Sequence, residues 1–542
     1  MPQRICSRKA PLLKANPKRT SKKNVKISLN GSANSLNGLK LSTPTNIFTK
    51  VEPSETTDGK WKVPPKKMRS TGHGKFRETQ HLTRQKNASQ MYDYDNYGNS
   101  VVDGSENGPR CPKCRWPLCG NCIGHEYHLQ ECDLFVQNNV KFENFESYEE
   151  PCLQLDCITP LRLLLAKDSN PKRWDEEVSL MEHHEMSRRN TDQWNMDHRN
   201  VVEFLHGPCK LNDRFTEDLI QQACGILQVN AFEGRTSFAS GCNLQCLFPK
   251  SAITAHSCVP NINHSIYPSD QFKITVRATI DIKKGETLYT TYTNLMVGTE
   301  QRQDHLKSGK YFTCHCARCE DPTELGTHFR TFKCNKCELG LIFSVDPYDD
   351  NSKWKCSHCE FATPATSIRK VLSVIQAEID ALQSIEFGPE RLEKCEYVFR
   401  KYRGVFHPSH YLLTELRQNL IELYGRVEGY ELQDLTDNLL EHKISMCRSV
   451  LNVLNVLYPG KTRIRAMLLY DLHAPIVLSA KISYATGLIQ DDELKRKLKE
   501  AISMLEESTN ILEREDADSV EYNVAQIGKQ SLLQLKESVK SI

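Results

Sequence analysis

At 542 residues, with 39% hydrophobic and 26% charged residues, the chain has the size and composition of an ordinary globular protein with more than one domain. No apolar run approaches the ~18 residues of a membrane span, and Met1-Pro2-Gln3-Arg4-Ile5-Cys6 opens without an apolar signal core, so neither a membrane protein nor a secreted one is expected. The formal net charge of +3 hides an asymmetry: residues 1–90 hold 20 Lys+Arg against 4 Asp+Glu, leaving 51 against 64 for the remainder.

Residues 1–108 are basic, rich in Ser, Asn, Lys and Pro, and poor in periodic apolar positions. Such a segment buries too little surface to offset its chain entropy, so a disordered tail is expected. Its basic clusters, Lys14 to Lys23 and Pro64 to Arg69, fit a nuclear-localisation signal, a phosphate-contacting patch or a merely solvated tail.

Without a secretion signal, 22 cysteines argue for metal rather than disulfides. Thirteen of them fall in Cys-x-x-Cys-like groups or in the motif around Cys258. Residues 109–135 offer Cys111, Cys114, Cys119, Cys122, His128 and Cys132, with His125 to spare. Residues 136–228 read as a helical insert, with a polar, exposed helix pair over Asp175–Asn200 and an apolar stripe at Leu219, Ile220, Ala223 and Leu227. Within residues 229–313, Phe272 to Ala278 alternates as a half-buried strand, Lys284-Gly285-Glu286 is a turn, and Leu288 to Tyr292 is β-prone. Cys314, Cys316 and Cys319 are too close together to complete a tetrahedral site alone, and Cys258, 56 residues upstream of Cys314, can supply the fourth ligand if the chain folds back. Cys334-x2-Cys337, 18 residues, then Cys356-x2-Cys359 is zinc-ribbon spacing; four thiolates leave no open position, so this site is structural. Segment 314–362 thus carries two metal sites. Residues 363–542 are expected to be helical, from stripes such as Ile368, Val371, Leu372, Ile375, Ile379, Leu382 and Leu494, Leu498, Ile502, Leu505.

Ala255-His256-Ser257-Cys258-Val259-Pro260-Asn261, Gly285-Glu286 leading to Tyr292, and Tyr311 to Cys319 resemble a SET domain joined to its post-SET zinc site. With the cysteine-rich segment at 111–132, residues 109 to 542 resemble the SET-and-MYND family, in particular its arthropod SmydA group. The resemblance implies an α+β architecture: a SET-like β fold, a MYND-like zinc finger, a post-SET zinc site, and an all-α, helical-repeat-like C-terminal domain. It implies S-adenosylmethionine as cofactor and lysine in proteins as substrate. Tyr292 matches the catalytic tyrosine; Asn230, His256, Tyr292 and Phe312 match cofactor contacts, although Asn230 also suits the end of a helix. Aligned on the trailing His-x3-Cys, the MYND pattern pairs Cys111 and Cys114 with His128 and Cys132. Cys119 and Cys122 are left as half a site, unless a single zinc takes the four early cysteines.

The sequence departs from the family where Ala255 replaces the motif's leading Asn, and where Thr287 follows Gly285-Glu286. It also departs before the finger. Gly72-His73-Gly74 imitates the Gly-x-Gly turn that opens SET domains, but Lys75-Phe76-Arg77-Glu78-Thr79 is no hydrophobic strand, so the match is read as coincidence. Two functions stay open on these residues: a protein-lysine methyltransferase with a degenerate cofactor site, or a silent zinc-built scaffold in protein interaction or transcriptional repression. Histones or corepressors are the partner classes implied, a monomer in the nucleus or cytoplasm is expected, and DNA reading is not, since the fingers lack a basic recognition helix.

Overall fold

The computed structural model describes residues 89–91, 110–118, 126–142, 153–235 and 243–542. The tail up to residue 88 (with both basic clusters and Gly72-His73-Gly74), Cys119, Cys122 and His125 lie outside the described residues. The architecture is α+β, with a helical C-terminal region.

The finger shares a core with the helices that follow it. Trp116 stacks on Phe135 at 5.1 Å between ring centroids, and Phe142 meets it edge-on at 5.1 Å. The helix Ile158–Ser169 buries Leu161, Leu163 and Leu164 against Ile220, Ala223 and Ile226 of the helix Glu217–Asn230. Thr216 caps that second helix by accepting from the Leu219 amide at 3.3 Å. The exposed helix pair expected over Asp175–Asn200 is instead a chain of one- and two-turn helices wrapped on this core. Its anchor is the fully buried Arg188, which donates to the Gln221 carbonyl (2.9 Å), Gln228 Oε1 (3.0 Å) and Asp197 Oδ2 (2.6 Å). A segment held by a buried cation carries little apolar periodicity, which is why its sequence reads as solvated.

The strands form small sheets around the functional residues. Asn243–Leu247 is the centre of a three-stranded sheet, antiparallel to Phe232–Arg235 and parallel to Ser89–Met91. Residues 89–91, placed in the disordered tail from sequence, thus add an edge strand from upstream of the finger; three residues held by backbone bonds leave no side-chain period to detect. Ala255–His256 runs parallel to Tyr289–Thr290. Ile262–Tyr267 and Lys273–Ala278 form an antiparallel hairpin, placing the strand expected from alternation one residue later at its start. The ribbon is a four-stranded antiparallel sheet whose Trp354 and Ile342 enter the core of the helical region.

From Ala365 to Ser541 consecutive helices pack each on the next, as a helical repeat does. Leu494, Leu498 and Leu505 are fully buried, as their spacing predicts, whereas Val371 of the first expected stripe is 42% exposed. The hairpin docks on this region by hydrogen bonds. Ser269 donates from both N and Oγ to Asp516 Oδ2 (3.1 and 2.7 Å), and Lys461 N donates to the Thr279 carbonyl at 2.8 Å. Gly460 makes that approach possible: its φ is +83°, and a Cβ there would lie 2.0 Å from the Thr279 oxygen. Gly460→Ala is therefore expected to lower unfolding free energy by about 2 kcal/mol or more, from left-handed strain plus the clash. Chemical denaturation checks this; a loss within error of zero would mean the two regions are not seated on each other.

Candidate active site and metal clusters

Among the described residues three groups of side chains converge with ligand atoms within 4.8 Å of one another: Cys111, Cys114, His128, Cys132; Cys258, Cys314, Cys316, Cys319; and Cys334, Cys337, Cys356, Cys359. A tetrahedral zinc with Zn–S bonds of ~2.3 Å places its sulfurs roughly 3.8 Å apart. The separations match that geometry: Cys111–Cys132 3.6 Å, Cys258–Cys319 3.5 Å, Cys258–Cys314 4.0 Å, Cys334–Cys359 3.8 Å and Cys337–Cys356 3.6 Å. These groups could hold zinc.

The surroundings fit such ions. In the first group His128 turns Nε2 toward Cys114 (3.5 Å) and Nδ1 toward Glu131 Oε1 (2.7 Å). Glu131, fully buried, is clamped by Arg162 through Nε at 2.6 Å and Nη2 at 2.7 Å. A carboxylate on the far nitrogen fixes the ring so that Nε2 presents its lone pair to a metal. Burial works to raise the Glu131 carboxyl, but Arg162 and His128 hold it below its usual range. Neither Glu131 nor Arg162 is among the residues that ligand spacing points to, although Glu131 stands one helical turn beyond His128.

Around the second group Arg302, Arg318 and Glu324 are fully buried, and Arg330 nearly so. Arg302 donates to Cys319 Sγ at 3.7 Å and to Glu324 Oε2 at 2.8 Å. Arg318 donates to Glu324 Oε2 at 2.8 Å, to the Cys258 carbonyl at 3.1 Å and to the Leu295 carbonyl at 2.9 Å. Three buried guanidiniums against one carboxylate leave two positive charges uncompensated, a costly arrangement. Four thiolates around a divalent cation carry two negative charges, and the sum closes.

The same group seats Tyr292 and Phe312, which pack against its cysteines. The Tyr292 amide donates to His256 Nδ1 at 3.0 Å, and His256 Nε2 lies 3.4 Å from Cys258 Sγ. Accepting at Nδ1 makes Nε2 the protonated nitrogen. Burial fits this neutral form, pulling the His256 pKa down to about 4. The Tyr292 hydroxyl donates to the Thr254 carbonyl, and burial pushes its pKa up, so it remains a phenol. Ring centroids lie 5.3 Å apart for His256–Tyr292, 5.8 Å for His256–Phe312 and 6.4 Å for Tyr292–Phe312, the last edge to face. Asn261 clasps the opposing strand: its N donates to the Tyr289 carbonyl (3.0 Å), its Oδ1 accepts from Tyr289 N (2.7 Å), and its Nδ2 donates to the Thr287 carbonyl (2.9 Å).

Asn230 ends the helix Glu217–Asn230 and spends its amide donors inside the protein, on the Ile226 carbonyl (2.9 Å) and the Glu182 carbonyl (2.8 Å). Beside it, Lys310 Nζ reaches the Val229 carbonyl at 2.5 Å and lies 5.8 Å from the centre of the Tyr292 ring. Tyr289 is 36% exposed, whereas Tyr458, from the helical region, packs like Tyr292 against the buried cluster of Cys258, Cys314 and Cys319. A cavity of about 240 Å³ opens between the hairpin and the helical region, lined by Thr290, Thr291, His264, Tyr458, Arg463 and Glu515. It adjoins Tyr292 along the chain.

A SET domain family model matches residues 163–293, a span that contains His256 and Tyr292 and stops short of Phe312. The chain is 27% identical over 369 residues to "SET domain-containing protein SmydA-8, isoform A" of Drosophila melanogaster, covering 66% of this chain and 74% of the relative. Isoform B of that protein is 25% identical over 379 residues, 68% and 78% of the two chains. "N-lysine methyltransferase SMYD2" of Gallus gallus is 38% identical over 188 residues, 34% of this chain and 37% of the relative. Fold, cysteine groups and matched span together define a SET-domain protein. With relatives of these kinds, the chain belongs to the SET-and-MYND family, whose members include protein-lysine methyltransferases. Among the described residues no helix is long and apolar enough to cross a membrane.

Three outcomes follow from the clusters. Elemental analysis of the purified chain is expected to return three zinc ions; one or none would refute the ligand sets, and a fourth would implicate Cys119 and Cys122. Cys316→Ser is expected to remove one ion and to lower the thermal transition steeply, since structural zinc binding is folding free energy. Glu131→Gln is expected to weaken zinc retention at the finger by roughly 10- to 100-fold in chelator competition, with the other two sites unchanged.

Proposed function

We propose that the chain is an S-adenosylmethionine-dependent protein-lysine methyltransferase, with zinc in all three cysteine groups and transfer taking place at the Tyr292–His256–Phe312 cluster. The observation that carries this reading is the closure of Cys258 onto Cys314, Cys316 and Cys319, against which Tyr292 and Phe312 pack with His256 between them. The donor set fits a cationic cofactor. Ring faces and the carbonyls of Gln228, Val229 and Thr254 attract positive charge, and the Lys310 ammonium already stands there as a stand-in.

The cofactor, when bound, supplies an electrophilic methyl group on a sulfonium. The protein's own residues do the rest. The target amine must arrive neutral, and a site walled by Tyr292, Phe312 and Tyr458 favours loss of its proton by excluding water. The Tyr292 hydroxyl, fixed by the Thr254 carbonyl and kept protonated, can accept an N–H from that amine and aim its lone pair. His256 holds the Tyr292 main chain in place as a positioning residue, and by resemblance to the family it would also contact the cofactor. Phe312 supplies a ring wall. Asn230 would contact the cofactor through Oδ1, since both its amide hydrogens are spent.

A silent scaffold remains the second reading, favoured by Ala255. That position lacks the side-chain amide of the family motif, and one lost contact of this kind costs ~1–3 kcal/mol. Calorimetric titration of the full chain with S-adenosylmethionine separates the two. Binding in the micromolar range, with methyl transfer to protein abolished in Tyr292→Phe while stability changes by under ~1 kcal/mol, is the outcome expected of the enzyme. Absence of binding would leave the scaffold. Protein partners and a nuclear or cytoplasmic site of action belong to either reading.

A further inference from the structure

Lys310 is the last residue of the helix Thr299–Lys310, and its side chain runs inward rather than to solvent. Its Nζ donates to the carbonyls of Val229 (2.5 Å) and Gln228 (3.4 Å) at the end of the helix Glu217–Asn230. The negative end of a helix dipole and the Tyr292 face together form a cation cradle. The groups packed around it are neutral or cationic: the Tyr292 phenol, His305 on its own helix, Asn230 beside the two carbonyls, and Tyr311, which accepts from Gln228 at 2.8 Å and lies 5.7 Å from His184. Glu182 meets Asn230 through its carbonyl, while its carboxylate accepts from the amides of His183 (3.2 Å) and His184 (2.9 Å).

We propose that Lys310 is a specificity-determining residue of this site: its ammonium competes for the cation cradle and biases the site against the cationic sulfonium, relative to the neutral thioether that remains after transfer. The inference rests on the methyltransferase reading above. Two like charges in one desolvated cradle repel more strongly than in water, and the penalty falls on one ligand only, because S-adenosylmethionine and S-adenosylhomocysteine differ by the methyl and its charge. The consequence is a site with strong product retention. Burial also pulls the Lys310 amine down to about 8, so its charge, and with it the bias, fades as pH rises through that value.

The test is calorimetry of both ligands with the full wild-type chain, Lys310→Met and Lys310→Arg at pH 7, repeated at pH 9. Lys310→Met is expected to raise the ratio of S-adenosylmethionine to S-adenosylhomocysteine affinity by about tenfold, and Lys310→Arg to leave it near wild type. Raising the pH is expected to move the wild-type ratio in the same direction and to leave that of Lys310→Met unmoved. A ratio unchanged in Lys310→Met, or changed alike in Lys310→Met and Lys310→Arg, overturns the proposal while leaving the methyltransferase reading intact. Failure of both ligands to bind any of the three chains overturns both. Binding of the sulfonium by Lys310→Met where the wild type takes only the thioether supports the proposal directly.

Discussion

Cys258 meets Cys314 and Cys319 across 56 and 61 residues of chain, and the rest of the SET region depends on that closure. It is a charge balance as much as a ligand set. A divalent ion with four thiolates carries two negative charges, Glu324 adds a third, and Arg302, Arg318 and Arg330 bring three positive ones into the same buried volume. The guanidiniums also tie the cluster to the backbone, through the carbonyls of Cys258, Leu295 and Val297. Glu324 is held down at about 2, despite burial, by Arg302, Arg318 and Arg330. A divalent ion held by the four cysteines would balance the charge of these buried arginines.

The functional residues inherit their positions from this network. Gln303, on the helix that ends at Lys310, binds Cys314 at both its amide (3.0 Å) and its carbonyl (2.7 Å). Tyr311 then leaves the helix in the left-handed region at φ 60°, which carries Phe312 over His256. On the other side the Cys258 loop fixes His256, and His256 fixes the Tyr292 amide. Three segments far apart in sequence thus present three rings to one point: His256 and Phe312 each stand two residues from an anchored thiol, and Tyr292 is held through His256.

How much of this can be read from the chain depends on where the partners lie. The three ligand groups are legible because ligand spacing is local, with one long-range ligand inferred from a triplet that cannot close alone. The helical region is legible because its apolar positions recur at the helical period. The clamps are not. Arg162 lies 31 residues from Glu131 and Arg318 lies 60 from Cys258, and a buried arginine has the same sequence appearance as a solvated one. Arg188 hides the packed segment 175–200 for the same reason. Tyr458 and Gly460 enter the picture only when the helical region swings against the hairpin, a contact without any local signature.

The loop 255–261 also shows why a departure from the family motif can leave the fold untouched. At position 255 the structural duty is carried by the backbone: the Ala255 amide donates to the Leu288 carbonyl at 3.2 Å in the parallel pair, and any side chain allows that. At position 256 the duty is carried by the side chain, since both imidazole nitrogens are engaged, one on Tyr292 and one on Cys258. At position 258 it is the thiol, and at 261 the amide that clasps the opposite strand. The residues of the motif that stand here are those whose side chains hold the structure. The one replaced is the one whose side chain the fold does not use. The backbone bond that closes the parallel pair at 255 is thus kept whatever side chain stands there.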